Sequence, residues 1–251
     1  MKITALLVFS LTASSVIAQY NPYAPPPPPP GPPPVTVINV PDVYGSRYFH
    51  FGLNITPGIY WVSPISSNNT ANGASFGFSY GANLEFYFTR NYAFLTGFSI
   101  ADIGAKYINT TALKGYFYDS IIQHNESVQY LQIPFELKLK TVPFRHLRYY
   151  GVVGLELGFR LKATDDYDYT ENTNAVPPFL ASYSANGVDI SGETNFFRVS
   201  LVLGIGAEYT LAGSTALQAC LSYNNCFTNL NSSSSNAVNL KGIELMLGIL
   251  F

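Results

Sequence analysis

The chain contains three histidines, and imidazole is the side chain best suited to acid–base chemistry near neutral pH. One of them, His124, lies in a polar stretch with Asp119, Ser120 and Ser127 close in sequence. Serine, histidine and aspartate together can hydrolyse esters, but nucleophile and base must meet in space, which closeness in sequence does not ensure. We therefore expect an ordinary polar connection here and no catalytic residue.

A segment rich in carboxylates, between Asp165 and Glu193, is a candidate binding site for a divalent cation. No Lys or Arg accompanies these carboxylates, and their spacing differs from that of an EF-hand calcium loop. A solvated segment of mutually repelling charges explains the same composition, so we expect no metal site and no cofactor. The carboxylates are Asp165, Asp166, Asp168, Glu171, Asp189 and Glu193.

A third set of charges lies in segments where apolar residues alternate strictly with polar ones. A period of two is typical of β-strands and places these charges together on the polar face. Charges removed from water persist only when they are paired and hydrogen-bonded, so the pattern predicts a network of ion pairs. The charged residues are Glu85, Glu136, Lys138, Glu156, Arg160, Arg198, Glu208 and Glu244, with Lys140, Lys162 and Lys241 near the strand ends.

Eight alternating segments occur between Tyr48 and Phe251, and an even number is typical of bacterial barrels. Long connections near 62–73, 109–126, 164–195 and 230–239 alternate with short ones near Arg90, 143–148 and 212–214. This arrangement predicts an all-β fold, an eight-stranded antiparallel up-and-down transmembrane β-barrel. The predicted strands are 49–61, 76–88, 92–108, 131–140, 151–162, 197–210, 217–224 and 242–251.

The third predicted strand is irregular, because its apolar residues change from even to odd positions. Phe98 and Ile100 belong to the first set, while Ile103 and Tyr107 belong to the second. A β-bulge near Ala101 and Asp102 would produce that change while keeping every apolar residue on one face.

Composition favours a membrane barrel over a soluble one. Charged residues make up 11% of the chain, against about 25% in ordinary soluble domains. A lipocalin-like barrel, with its apolar face lining a cavity, is the soluble alternative. The polar faces here are rich in Gly, Ser and Ala, which is unlike a water-facing surface. The net charge of −2 and the lack of a basic stripe argue against a nucleic-acid partner.

A small transmembrane barrel has an interior filled by side chains. The predicted ion pairs would therefore block a pore, and a narrow charged channel or proton path is the alternative. The odd positions from Ile243 to Phe251 should contact outer-membrane lipid, and Glu244 should point inward. Phe251, an aromatic residue at the C-terminus, is expected at the periplasmic rim, where it resembles the end recognised by the barrel-assembly machinery.

The first 47 residues are predicted to comprise two segments that precede the barrel. Residues 1–18 have the basic start, apolar run and small residues of a secretory signal peptide cleaved before Gln19. Residues 19–47 form a proline-rich arm, in which Pro22–Pro34 holds ten prolines and should adopt an extended polyproline II conformation. The arm is either a spacer or a periplasmic docking peptide for envelope proteins or the cell wall.

The fourth predicted strand carries the sequence Tyr130-Leu131-Gln132-Ile133-Pro134-Phe135-Glu136-Leu137-Lys138. This segment resembles the Y-L-x-I-P-x-x-L-K strand of the PorT-like outer-membrane β-barrel family, and the Gly-rich strand after it fits as well. The resemblance covers Tyr48 to Phe251 and implies a barrel in the bacterial outer membrane, with the N-terminal arm and the C-terminus in the periplasm. It also implies a part in protein secretion, as an alternative to a non-catalytic structural or interaction role.

Overall fold

The structure is a computed structural model, and it describes residues 48–112, 118–173, 182–233 and 237–251. The predicted signal peptide (1–18) and proline-rich arm (19–47) lie outside the described residues. Among the described residues, no helix is long and apolar enough to span a membrane.

Ten β-strands account for most of the described chain. Eight of them are long and alternate between an exposed apolar face and a buried face, while β2 and β7 are short additions. In chain order they are β1 (Phe49–Pro64), β2 (Asn69–Ala71), β3 (Ala74–Tyr87), β4 (Tyr92–Ala112), β5 (Tyr118–Lys140), β6 (Leu147–Thr173), β7 (Ser182–Asp189), β8 (Phe197–Ala212), β9 (Thr215–Cys226) and β10 (Val238–Leu250).

The eight long strands close into an antiparallel barrel. Each pairs with its neighbours in the order β1-β3-β4-β5-β6-β8-β9-β10, and β10 pairs back to β1. At this seam the Phe251 amide donates to the Phe51 carbonyl oxygen at 2.7 Å. Closure leaves no unpaired edge in the barrel wall, which a strand-built membrane protein requires. The predicted fold class is confirmed.

The two ends of the barrel differ. The connections β3–β4, β5–β6 and β8–β9 are short, and β1 begins and β10 ends at the same end, which we call the short-turn end. The other end, the long-hairpin end, carries the β1–β3, β4–β5, β6–β8 and β9–β10 connections, with β2 paired to β4 and β7 paired to β6.

Apolar side chains point out of the barrel, which rules out the lipocalin-like alternative. Phe76 is 70% exposed and Ile205 72%, whereas polar residues on the opposite parity, such as Glu85 and Ser200, are fully buried. Exposed apolar surface on this scale, encircling a closed barrel, is the apolar belt of a membrane protein. Along β10 and the residue after it, the outward side chains are Ile243, Leu245, Leu247, Ile249 and Phe251, as predicted.

Strands β5 and β6 extend well beyond this belt, which corrects the predicted connections 109–126 and 164–195. β5 has 23 residues and β6 has 27, although about 9–11 suffice to cross a membrane. Most of the residues expected in loops are paired strand, and His124 lies in β5 rather than in a loop. The alternation test failed there because a strand outside the membrane needs no apolar face.

The predicted bulge near Ala101 and Asp102 is absent. The β4–β5 pairing runs without a register shift through this region, and odd positions of β4 face inward along its length. Ile103 and Tyr107 are therefore buried inside the barrel rather than exposed to lipid. The apolar residues changed parity because the lumen becomes apolar at this level, and the outer face becomes polar.

A β-bulge occurs instead in β6. Tyr130 pairs with Arg160 while Gln129 pairs with Lys162, so Leu161 is the extra residue. Leu161 and Lys162 are both exposed, and Ala163 is buried. The extra residue reverses the parity of β6 and turns Asp165 into the barrel, which is the kind of reorientation bulges provide.

Candidate functional site

The lumen beside the short-turn end holds a group of charges that we call the lysine cluster: Glu85, Lys138, Lys140 and Glu208. Lys138 Nζ lies 2.5 Å from Glu85 Oε1 and 2.6 Å from Glu208 Oε1, and Lys140 Nζ lies 2.6 Å from Glu208 Oε2. All four side chains are fully buried. Two ammonium groups alternate with two carboxylates, so the formal charges cancel.

Aromatic side chains surround the lysine cluster. The Tyr87 hydroxyl donates to Glu85 and accepts from Lys140 Nζ. Lys138 Nζ also lies 4.2 Å from the centre of the Tyr150 ring, a cation–π distance. Satisfied hydrogen bonds and ion pairs of this kind are what a fully buried charge needs.

A second group, the arginine cluster, lies in the middle of the lumen and comprises Glu156, Arg198, Asn224 and Glu244. Arg198 Nη2 lies 3.6 Å from Glu156 Oε1 and donates to Asn224 Oδ1 at 2.9 Å. Asn224 Nδ2 in turn donates to Glu156 at 3.2 Å and to Glu244 at 3.3 Å. The asparagine therefore links carboxylates on β6 and β10 across the barrel.

Four of the charges predicted from the sequence lie outside these ion-paired clusters. Glu136 is buried beside a cavity of about 80 Å³, and the described residues give it no ion pair. Arg160 is half-buried and donates from Nη1 to the Thr194 carbonyl oxygen at 2.7 Å, near the long-hairpin end rather than in the network. Lys162 and Lys241 occupy outward positions, Lys162 because of the bulge and Lys241 because it shares the parity of Ile243.

An apolar layer closes the lumen above the arginine cluster, toward the long-hairpin end. Its side chains come from β1, β4, β5, β6, β9 and β10 and from the β9–β10 connection, and all are nearly inaccessible to solvent. Both free cysteines are buried; Cys226 belongs to this layer, while Cys220 packs against Tyr150 and Val152. The residues of the layer are Tyr60, Val62, Ala101, Ile103, Ala105, Tyr107, Val128, Tyr130, Ala163, Cys226, Leu230, Val238 and Leu240.

Above the apolar layer lies a third group, the mouth cluster, formed by His124, Glu126 and Asp165. One ligand atom from each of the three residues lies within 4.8 Å of the other two. His124 Nδ1 is 2.6 Å from Asp165 Oδ2, and the backbone N–H of Asn125 donates to Asp165 Oδ1 at 3.1 Å. Glu126 and Asp165 are directly opposite one another on β5 and β6.

The mouth cluster lies outside the apolar belt, because the outward neighbours of Glu126 on β5 are the exposed polar residues Asn125 and Ser127. Tyr107 supports the cluster: its hydroxyl donates to Glu126 Oε1 at 2.5 Å, and its ring stacks on His124 at 4.7 Å. Burial raises the pKa of Glu126 to about 7 against the lowering effect of the Tyr107 hydrogen bond.

The hydrolase-like grouping considered around His124 does not form with its two serines. Ser127 faces outward and donates to Asp102 Oδ1 at 2.7 Å. Ser120 lies four residues from His124 on the same strand, a distance of roughly 13 Å in extended chain. His124 pairs instead with Asp165, a residue 41 positions away in sequence.

Glu126 is the member of the mouth cluster that the sequence pattern does not reveal. It lies at the end of the predicted connection 109–126, where a period of two has no meaning unless the segment is a strand. Two polar residues at i and i+2 share a face only if the segment is a strand, and β5 extends through both.

A closed β-barrel with an apolar belt and a filled, ion-paired lumen defines the class of small outer-membrane β-barrel proteins. The sequence comparison agrees: the chain belongs to the outer membrane protein beta-barrel domain family, whose sequence profile matches residues 18–230. This family membership makes it a protein of the bacterial outer membrane. A comparison with curated protein sequences gives no significant match.

Several solved barrels are similar in structure. Neisserial surface protein A (NspA) is 14% identical with a TM-score of 0.38, covering 80% of this chain and 95% of that chain. The outer-membrane protease OmpT of Escherichia coli is 6% identical with a TM-score of 0.35, covering 81% and 96%. OprG of Pseudomonas aeruginosa is 9% identical with a TM-score of 0.35, covering 83% and 97%. At these values the likenesses carry no argument about function.

Proposed function

We propose that this protein is a non-catalytic outer-membrane barrel with a closed lumen, and that it acts through its surfaces as a structural or interaction protein. The observation that carries this is the filled interior. Two charged clusters and the apolar layer succeed one another along the barrel axis, and the cavity beside Glu136 measures about 80 Å³. That volume holds only a few water molecules.

The extended strands support an interaction role. β4, β5 and β6 continue past the apolar belt as paired hairpins, and β7 widens the β6 hairpin. This extension carries aromatic side chains on its surface. The Tyr169 ring stacks on the Tyr183 ring with their centres 4.8 Å apart, and Tyr183 is 55% exposed. Exposed aromatic side chains on a rigid support are typical of surfaces that bind proteins or glycans.

The proposed orientation puts the long-hairpin end outside the cell and the short-turn end in the periplasm. Outer-membrane barrels have short periplasmic turns and longer extracellular loops. The chain begins and ends its barrel at the short-turn end, so the proline-rich arm with Pro22–Pro34 and the C-terminal Phe251 would face the periplasm. There the arm could contact envelope proteins, and Phe251 the barrel-assembly machinery.

Cysteine labelling in whole cells tests this orientation. Two single substitutions, Asp168→Cys in the β6 hairpin and Ser214→Cys in a short turn, are made in a background with both native cysteines replaced by Ala. We expect a membrane-impermeant maleimide to label Asp168→Cys in intact cells and Ser214→Cys only after permeabilisation. The opposite pattern would overturn the orientation.

A part in protein secretion is the second candidate, favoured by the Tyr130–Lys138 segment that resembles the PorT-like family. In the structure this segment forms the lumen wall from the apolar layer to the lysine cluster, with Tyr130 and Lys138 both buried. Cross-linking and co-purification in mild detergent separate the two functions. Secretion-machine components recovered with the full chain, but lost when residues 22–34 are deleted, would favour secretion. Recovery of outer-surface ligands that depends on the β6–β7 hairpin would favour the interaction role.

A further inference from the structure

We propose that the mouth cluster is a binding site for one divalent transition-metal ion of the Zn²⁺ type, held by His124, Glu126 and Asp165. This goes beyond the proposed interaction role and does not depend on it. The three side chains come from two adjacent strands, β5 and β6, outside the apolar belt. A bound ion would fasten the hairpin where it leaves the membrane.

The second observation that points to a ligand is an orphaned oxygen. Glu126 is 4% exposed, and its Oε2 atom is buried with no hydrogen-bond partner among the described residues. The other oxygen, Oε1, accepts from the Tyr107 hydroxyl. A carboxylate oxygen buried without a partner is costly, and a cation would satisfy it.

The composition of the site favours a transition metal over Ca²⁺ or Mg²⁺. Calcium and magnesium take mainly oxygen ligands, whereas imidazole suits zinc and its neighbours. One imidazole and two carboxylates supply three ligands, and a water could complete a tetrahedral shell, as in many zinc sites. The three ligand atoms lie within 4.8 Å of one another. Two ligand atoms of a tetrahedral zinc ion are roughly 3.3 Å apart, so binding would replace the 2.6 Å hydrogen bond between His124 Nδ1 and Asp165 Oδ2 and open that pair slightly around the ion.

Hydrogen bonds around the cluster are of the kind that orient metal ligands. Asp165 Oδ1 accepts from the Asn125 amide, and Glu126 Oε1 is held by Tyr107, whose hydroxyl accepts from Asn231 Nδ2 at 3.0 Å. Hydrogen bonds of this kind orient each carboxylate so that its other oxygen, Asp165 Oδ2 or Glu126 Oε2, can bind the ion. His124 keeps 20% of its side chain exposed, which leaves the site open toward the long-hairpin end.

Metal titration of the untagged full chain, purified in detergent and stripped with chelator, tests the proposal. We expect calorimetry with ZnCl₂ to show one ion bound per chain, and CaCl₂ to bind at least roughly tenfold more weakly. His124→Gln, Glu126→Gln and Asp165→Asn should each weaken zinc binding by roughly tenfold or more. Two controls, Asp168→Asn in the same hairpin and His146→Gln in a short turn, should leave it unchanged.

Fold is checked in each variant by its heat-modifiable migration on a gel, so that loss of binding is read only on folded barrels. Three results would overturn the proposal. These are wild-type protein that binds no stoichiometric zinc, folded site variants that bind zinc as tightly as wild type, and calcium binding that equals or exceeds zinc binding.

Discussion

Lys138 holds the charges of the lumen together at the scale of the single residue. Its ammonium group bridges Glu85 on β3 and Glu208 on β8, and the side chain is fully buried. Without Lys138, Glu208 would keep only its ion pair with Lys140. Glu85 would keep only the Tyr87 hydroxyl, so one buried negative charge would have no counter-ion. We therefore expect the stability of the barrel to depend strongly on Lys138.

Lys138→Met should lower the free energy of unfolding by about 3–5 kcal/mol, because it leaves two buried carboxylates without their shared counter-ion. Urea unfolding of the refolded barrel, followed by circular dichroism, measures the change. The matched control is Lys162→Met, which removes an exposed outward lysine and should change stability by less than about 0.5 kcal/mol. Equal effects of the two variants would contradict the ion-pair account.

At this scale the sequence predicted which face a residue occupies better than which partner it contacts. The inward position of Glu85, Lys138, Glu208 and Glu244 follows from a period of two. The ion-pair partners do not follow from it. Each pair joins different strands, and which side chains meet depends on the stagger of the strands around the closed barrel, which the sequence does not display. Asp165 was nominated only as part of a solvated acidic segment, since the bulge at Leu161 left no sign in the alternation.

Tyr60 shows how whole strands are shaped around one side chain. Its ring contacts Gly58 on its own strand β1 and two glycines on the neighbouring strands, Gly77 on β3 and Gly242 on β10. Its hydroxyl donates to Glu244 Oε1 at 2.8 Å. A Cβ built on Gly242 would lie 2.5 Å from Tyr60 Cδ1, which leaves no room for a methyl group. The glycines let the ring lie across the lumen where the polar and apolar levels meet.

Gly242→Ala should destabilise the barrel by about 1–3 kcal/mol, because the added methyl group must displace the Tyr60 ring. The midpoint of urea unfolding measures this shift. Gly192→Ala is the control, since a Cβ there meets nothing within 4 Å. Destabilisation by Gly192→Ala as large as that by Gly242→Ala would show that the ring slot is not the cause.

Element boundaries inside the membrane were predicted more closely than those outside it. β8 was predicted at 197–210 and runs Phe197–Ala212, while β6 was predicted at 151–162 and runs Leu147–Thr173. Within the belt, lipid demands an apolar face, and the pattern is strict. Beyond the belt both faces of β6 meet water or polar neighbours, so pairing continues where alternation stops.

The whole molecule joins a lipid-facing wall, a filled lumen and a projecting set of hairpins. The wall and its closure follow from strand count and alternation, which the sequence displays. The filling follows from eight strands, whose interior is just wide enough for side chains. The order of the layers, charged toward the short-turn end and apolar toward the other, cannot be predicted strand by strand. Each layer combines side chains from several strands, so it depends on how the strands are aligned along the barrel axis.

The central claim is that the lumen is closed, and single-channel recording tests it most directly. The full chain is refolded in detergent, its fold is checked by heat-modifiable migration, and it is inserted into planar lipid bilayers under an applied voltage. Because the lysine cluster, the arginine cluster and the apolar layer fill the barrel in turn, the account predicts no sustained conductance steps. Sustained, uniform steps from the folded wild-type barrel would contradict it.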